Sequence, residues 1–143
     1  MVAEYNKFEL QTVEENENIL FLDGNRSCTK GLISHRAGSG VFRLKGASNA
    51  CKTIYRVTFN ANIAVAEGGT VGEISVSLKE DGEIIGNATA KVTPTVAEAF
   101  FSVSFSTFVV IPCGCCVTVS IENTSDGTAI DVANANIIFD RVA

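Results

Sequence analysis

The sequence contains no tryptophan, one histidine, one methionine and two prolines among its 143 residues. Enzymes of the cupin type hold a metal through several histidine and carboxylate ligands, so a single histidine argues against that class. That residue, His35, is also a candidate general base, but the sequence shows no nucleophile and orienting carboxylate grouped with it. We therefore expect a protein that is not an enzyme.

Aromatic residues other than phenylalanine are scarce, with nine Phe against two Tyr. Phenylalanine supplies apolar area without a polar tip that needs a hydrogen-bond partner. This composition suits a dry core or a dry interface between subunits.

Positive charge is also in short supply, because the net charge is −5 at pH 7 and the pI is about 4.8. The basic residues Lys30, His35, Arg36, Arg43 and Lys45 are scattered among Gly and apolar residues. An acidic chain without a basic stripe repels phosphate backbones, so we expect no nucleic-acid partner.

Long apolar runs are missing too. No window approaches the roughly 18 apolar residues of a membrane helix, so no membrane insertion is expected. The N-terminus has neither the basic start nor the stretch of at least ~7 apolar residues that a signal peptide needs. We expect synthesis in the cytoplasm without a signal peptide, and a final place in a virion or on a cell or spore surface.

The residues that are present predict one all-β domain. Apolar and polar residues alternate in Thr53 to Val65, which predicts a long strand with one dry face. Asp81-Gly82 and the polar run from Asn123 to Gly127 predict turns between further alternating runs. We predict an antiparallel jelly-roll sandwich of 8–10 strands at residues 17–143, preceded by a polar arm at residues 1–16.

Five cysteines are the most conspicuous candidates for chemistry: Cys28, Cys51, Cys113, Cys115 and Cys116. The Cys113 and Cys116 pair has zinc-knuckle spacing, but a second pair of ligands is missing. An odd number of cysteines in a chain made in the cytoplasm favours reduced thiols without metal.

Acidic residues at predicted turns, namely Asp81, Glu83, Asp126 and Asp131, lack the Asp-x-Asp-x-Asp-Gly spacing of a calcium loop. They are better explained as turn residues that bond to their own backbone. We predict no catalytic residue, no metal site and no cofactor.

Several motifs occur in an order that resembles a known family. They are Phe21 before a polar turn, Phe42-Arg43-Leu44 ahead of a glycine, Thr53-Ile54-Tyr55-Arg56-Val57 opening a long strand, Glu80-Asp81-Gly82-Glu83-Ile84-Ile85-Gly86 at a turn, Ile111-Pro112-Cys113-Gly114 before a strand, and Asn134-Ala135-Asn136-Ile137-Ile138-Phe139 in the closing strand. Residues 17 to 142 thereby resemble the jelly-roll heads of the tumour-necrosis-factor and complement globular-head superfamily. The heads of bacterial collagen-like spore-surface proteins are nearest in pattern. The resemblance implies a ten-stranded jelly roll, a homotrimer, and a role in display or recognition.

The predicted strand 99–111 carries phenylalanine on both faces, Phe101 and Phe105 on one and Phe100 and Phe108 on the other. A sandwich strand has one face in its own core, so an identical neighbour is the simplest cover for the second. We predict an oligomer interface at Phe100, Phe108, Val110 and Tyr55; the choice of a trimer comes from the resemblance alone.

Two functions follow from these expectations. The first is a homotrimeric structural building block or decoration protein of a phage virion or a bacterial surface assembly, with a capsid or surface-layer protein as a further partner. The alternative is a trimeric module that recognises a receptor or a glycan.

Overall fold

The computed structural model describes residues 1–26, 29 and 31–143, so Cys28 and Lys30 lie outside the described residues. No helix in those ranges is long and apolar enough to span a membrane. The described chain forms eleven strands: β1 (Val2–Lys7), β2 (Gln11–Val13), β3 (Leu22–Arg26), β4 (Ile33–His35), β5 (Val41–Lys45), β6 (Lys52–Val65), β7 (Ile74–Glu80), β8 (Glu83–Val92), β9 (Phe101–Pro112), β10 (Cys116–Asn123) and β11 (Ile130–Arg141).

The strands build two antiparallel sheets that pack face to face. Sheet A has the order β3-β1-β11-β6-β9, with β2 pairing beside β11, and sheet B has the order β4-β5-β10-β7-β8. Each sheet joins strands that are far apart in sequence, as expected of a jelly roll. The predicted all-β antiparallel sandwich is confirmed.

Alternation along the strands decides which side chains enter the core. In β6, Tyr55, Val57 and Phe59 are fully buried between the sheets. An aromatic cluster connects the two sheets, since the Phe42 ring lies 4.9 Å from the rings of both Tyr5 and Phe139. Four phenylalanines are fully buried and help fill the core, namely Phe21, Phe42, Phe59 and Phe139, whereas four others are exposed.

The Asp81-Gly82 turn joins β7 to β8 as predicted. Both residues have positive φ, 49° and 89°, and the flanking Glu80 and Glu83 face each other. Two successive positive φ angles define the hairpin turn whose twist matches that of the strands. The Asp81 carboxylate also accepts the Thr118 N–H at 2.9 Å, which ties the turn to β10.

Residues 1–16, predicted as a polar arm separate from the jelly roll, instead supply β1 and β2 of sheet A. β1 lies between β3 and β11, and its Ala3 and Tyr5 are fully buried. The prediction was wrong because β1 is short and directs only a few side chains into the core. Ala3 and Tyr5 fill those positions, so the segment forms a strand although most of its other residues are polar.

Asp23-Gly24-Asn25 has the composition of a turn, and we predict one there from sequence, but these residues lie within β3, so that prediction is wrong. A Cβ on Gly24 would lie 2.6 Å from the Glu4 carbonyl oxygen of β1. The glycine thus permits a close approach of two backbones, which sequence alone does not distinguish from a turn.

Candidate functional site

An exposed apolar patch lies at one end of the outward face of sheet A. Phe108 and Val110 of β9 are 61 % and 48 % exposed. Val110 faces Ile54 of β6 across the ladder, and the Ile54 carbonyl accepts the Val142 N–H at 2.9 Å. We call Ile54, Phe108, Val110 and Val142 the β9 patch.

The four predicted interface residues do not form one surface. Phe108 and Val110 belong to the β9 patch, whereas Phe100 lies just before the start of β9, about 26 Å from Phe108 along the chain direction. Tyr55 is fully buried, and its hydroxyl donates to the Lys45 carbonyl at 3.1 Å. Including Tyr55 was wrong, because its position in the alternation of β6 places it on the inner face.

Next to the β9 patch, polar side chains lie on the outward face of sheet A. The Arg56 guanidinium donates to the Asp140 carboxylate at 2.8 Å, directly beside Phe108 in the ladder. Farther along, Thr58 and Ser106 share a hydrogen bond of 3.2 Å. This face can therefore offer an apolar contact bordered by an ion pair and by hydrogen-bonding side chains.

A second feature, a hydroxyl-lined groove of about 580 Å³, lies on the outward face of sheet B. On its floor, Ser75 Oγ lies 2.7 Å from Thr124 Oγ1, and Ser77 Oγ lies 2.8 Å from Thr89 Oγ1. Ser75 and Ser77 are buried although they point away from the core, because the loop after β10 folds over β7.

The rim of the groove combines charged and apolar side chains. Glu73 and Lys91 lie 4.0 Å apart, and Asp126 stands on the loop after β10. Val71 and Ile84 expose nearly half of their surfaces to the groove. Hydroxyl and carboxylate groups beside apolar walls match the alternating O–H and C–H surfaces of a sugar. Sequence reasoning missed this groove, for which the outward Ser75 and Ser77 of β7 were the only signal.

His35, the candidate general base, is held inside the fold. Its Nε2 lies 2.8 Å from the Ser39 carbonyl oxygen, to which it donates, and its Nδ1 lies 3.6 Å from the Asp23 carboxylate. The ring stacks on Phe42 at 4.2 Å and its side chain is fully buried. Among the residues that the structure describes, only Nε2 makes a hydrogen bond, since the distance from Nδ1 to the Asp23 carboxylate exceeds hydrogen-bond length. The buried ring is therefore packed as part of the core.

Four of the cysteines surround the turn between β9 and β10. Cys51, Cys113, Cys115 and Cys116 are exposed and their thiols are free. The Arg43 guanidinium donates to Cys116 Sγ from two nitrogens, at 3.2 and 3.0 Å. Within the ranges that the structure describes, no three metal-ligating side chains are grouped. Cys28 lies outside them.

The comparisons with known proteins bear on the fold. No family model matches the chain, and no curated protein matches its sequence. Among solved structures, the chain is similar to Eiger TNF from S. frugiperda, with a TM-score of 0.67, 12 % identity and coverage of 100 % of this chain and 92 % of that one. Murine APRIL matches with a TM-score of 0.67, 7 % identity and coverage of 97 % of both chains.

The globular domain of zebrafish complement 1qA matches equally well, with a TM-score of 0.67, 13 % identity and coverage of 99 % of this chain and 97 % of that one. The chain is thus a jelly-roll sandwich. More particularly, it has the jelly roll of the tumour-necrosis-factor and complement globular heads, so the resemblance drawn from the sequence motifs is confirmed.

Proposed function

We propose that the chain is a non-enzymatic, homotrimeric building block or decoration protein of a phage virion or a bacterial surface assembly. The observation that carries the proposal is the β9 patch, in which Phe108, Val110 and Val142 are exposed and Ile54 is half-buried. Exposed apolar area of this kind is typical of a surface that contacts another protein.

A second copy of the chain is the favoured occupant of the patch. β9 is an edge strand of sheet A, so a neighbour can approach its outward face at the margin of the sheet. Closed cyclic symmetry covers the same patch on every copy without leaving an end that keeps growing. The choice of three copies rests on the likeness to globular heads.

The oligomeric state tests this directly. Light scattering after size exclusion should give a mass near three times 15.1 kDa for the wild type. Phe108→Asp should give the single-chain mass, because it removes the largest apolar side chain of the β9 patch and places a charge in the interface, which costs several kcal/mol to bury. Val41→Asp serves as the control, since Val41 is 43 % exposed on the outward face of sheet B.

Two results would count against the trimer. A wild-type mass near 15.1 kDa at micromolar concentration would remove the interface altogether. A dimer would retain the interface and remove the part of the proposal that depends on the likeness to globular heads.

The place of action needs a separate experiment. Antibodies against the purified chain should label the outside of intact virions, cells or spores in electron micrographs. Labelling confined to the cytoplasm would contradict the proposed role of a capsid or surface-layer protein as partner.

The alternative function, a trimeric recognition module, is favoured by the hydroxyl-lined groove. A short glycan is the matching ligand, because Thr89 and Asp126 can hydrogen-bond its hydroxyl groups while Ile84 covers its C–H face. Calorimetry with a panel of mono- and disaccharides should show binding by the wild type and a loss of at least about tenfold in Thr89→Val. Thr93→Val, exposed just after β8, is the matched control. No heat with any sugar would contradict this alternative.

A further inference from the structure

The cysteines near the turn between β9 and β10 are not equivalent, and two of them face each other. The Cys113 N–H donates to the Cys51 carbonyl at 3.0 Å, one residue beyond the paired Lys52 and Pro112. The two cysteines lie just outside the ends of β6 and β9, where they continue the antiparallel register of these strands. Facing Cα atoms at a hydrogen-bonded position of such a register lie about 5.5 Å apart. A disulfide spans about 4.4–6.8 Å between Cα atoms, so this spacing is within its reach.

The side chains also share one side of sheet A. Thr53 of β6 and Ile111 of β9 face each other and point inward, and both are fully buried. Cys51 lies two residues before Thr53 and Cys113 lies two residues after Ile111, so continued alternation directs both toward the same side at the open end of the sandwich. Both residues are exposed and can be reached by a small molecule.

The other two cysteines are placed differently. Cys116 faces Lys45 in sheet B and receives the two hydrogen bonds from Arg43, which hold its sulfur on the outward face. Cys115 closes the turn, because its N–H donates to the Pro112 carbonyl at 3.1 Å and its carbonyl accepts from Gly46. Neither arrangement faces another cysteine across a ladder.

We propose that Cys51 and Cys113 are a site of reversible oxidation, forming a cross-strand disulfide by exchange with a small-molecule disulfide such as oxidised glutathione. One thiolate attacks the small disulfide, forms a mixed disulfide and releases one glutathione thiol. The second thiolate attacks the protein sulfur of that mixed disulfide and releases the second glutathione thiol. The protein loses two electrons and two protons, which reduce the small disulfide to two thiols.

The bond would join the ends of β6 and β9 next to the β9 patch. It would close a loop of about 60 residues, which restricts the unfolded chain strongly. The effect does not depend on the oligomeric state, because both cysteines belong to one chain.

The test incubates the full chain with oxidised and reduced glutathione at a series of ratios, followed by trapping of the remaining thiols, intact-mass measurement and peptide mapping. In the wild type, Cys115→Ser and Cys116→Ser, the pair Cys51 and Cys113 should lose both of its thiols, with the loss of two hydrogen masses and no glutathione adduct on either cysteine of the pair. A peptide linking Cys51 to Cys113 should appear in all three. The oxidised forms should melt about 10 °C above their reduced forms.

Cys51→Ser and Cys113→Ser are the informative variants. Each should keep the same fold in the reduced state and carry a glutathione adduct on the remaining cysteine of the pair instead of the internal bond, with no rise in melting temperature. A linked peptide containing Cys28, Cys115 or Cys116 in the wild type would overturn the proposal. So would a bond between two chains on a non-reducing gel, or stable glutathione adducts on both Cys51 and Cys113.

Discussion

The outward faces of the two sheets differ in how much of their polar surface is buried. On sheet A, the Arg56–Asp140 ion pair is exposed, with side-chain exposures of 51 % and 27 %. On sheet B, the Lys79–Glu122 pair has nearly the same N–O distance, 2.9 Å, but the exposures are 30 % and 9 %. Sheet B thus carries a partly buried polar network of its own, whereas sheet A presents its face to solvent or to a partner.

The difference has a cause in the connections. On sheet B, the loop after β10 bonds to β7, with the Thr124 N–H donating to the Ser75 carbonyl and Ser125 Oγ accepting the Ser75 N–H. The register of β7 and β8 shifts between Ser77 and Lys79, where the extra residues of β8 include Gly86. The loop after β10 and the irregular part of β8 form the sides of the hydroxyl-lined groove on sheet B. The outward face of sheet A remains flat.

The largest expected effect on stability comes from a substitution in the core, because the core supports both sheets and therefore both outward faces. Phe42→Ala should lower the free energy of unfolding by about 3–5 kcal/mol, because Phe42 contacts Tyr5 and Phe139 of the opposite sheet and leaves a cavity. Denaturant titration gives the value. Val96→Ala, in an exposed loop, is the control and should change it by less than about 0.5 kcal/mol. A loss below about 1 kcal/mol at Phe42 would contradict the packing described for the aromatic cluster.

Matched substitutions sharpen the comparison between the two ion pairs. Lys79→Met should cost about 2–3 kcal/mol, because it leaves the nearly buried Glu122 carboxylate without its cation. Arg56→Met should cost at most about 1 kcal/mol, since water screens the exposed pair. Equal losses of unfolding free energy in the two variants, measured by thermal or denaturant unfolding, would show that the different burial of the two ion pairs has no effect on stability.

The smallest effect depends on pH at the end of sheet B. Burial raises the pKa of the Glu80 carboxyl, and the neighbouring Asp81 and Glu83 charges raise it further. A raised pKa means that the folded state prefers the neutral carboxyl, so its stabilising contribution is complete below the usual pKa of 4.5 and is lost as the pH rises through the folded value.

Glu80→Gln should therefore raise the melting temperature slightly at pH 7, on the order of 1 °C, and give no gain below about pH 4. Melting curves of the wild type and the variant across this range measure the effect. Glu98→Gln, in the exposed loop before β9, should give no such pH-dependent difference. A larger gain at low pH than at pH 7 would reverse the sign and contradict the assignment.

Sequence reasoning succeeded where the signal is local. The alternation of Thr53 to Val65 predicted β6 within one residue of its observed bounds, because period two is a property of a single strand. Asp81-Gly82 was recognised because few residues adopt positive φ readily at consecutive positions. Phe108 and Val110 were placed on an exposed face for the same local reason, and their contact with a second copy stays a prediction.

Other assignments failed because they depend on what lies opposite. Gly24 was predicted to lie in a turn. Its place inside β3 is explained only by the close approach of the β1 backbone, which the sequence does not show. Tyr5 stood in a segment too polar to suggest a core strand, and Tyr55 was assigned to the interface although its own alternation places it inside.

By itself, the sequence determined the fold class, the positions of most strands and turns, and the dry phenylalanine core, because alternation and turn chemistry act over a few residues. The tertiary structure alone decided which strands became neighbours. It assembled the hydroxyl groove from β7, β8 and the loop after β10, and it placed Cys51 against Cys113. Alternation within a strand predicts which side chains share a face, but it does not predict which other segment packs on that face. Pairing between strands that are far apart in the chain depends on the packing of the whole domain.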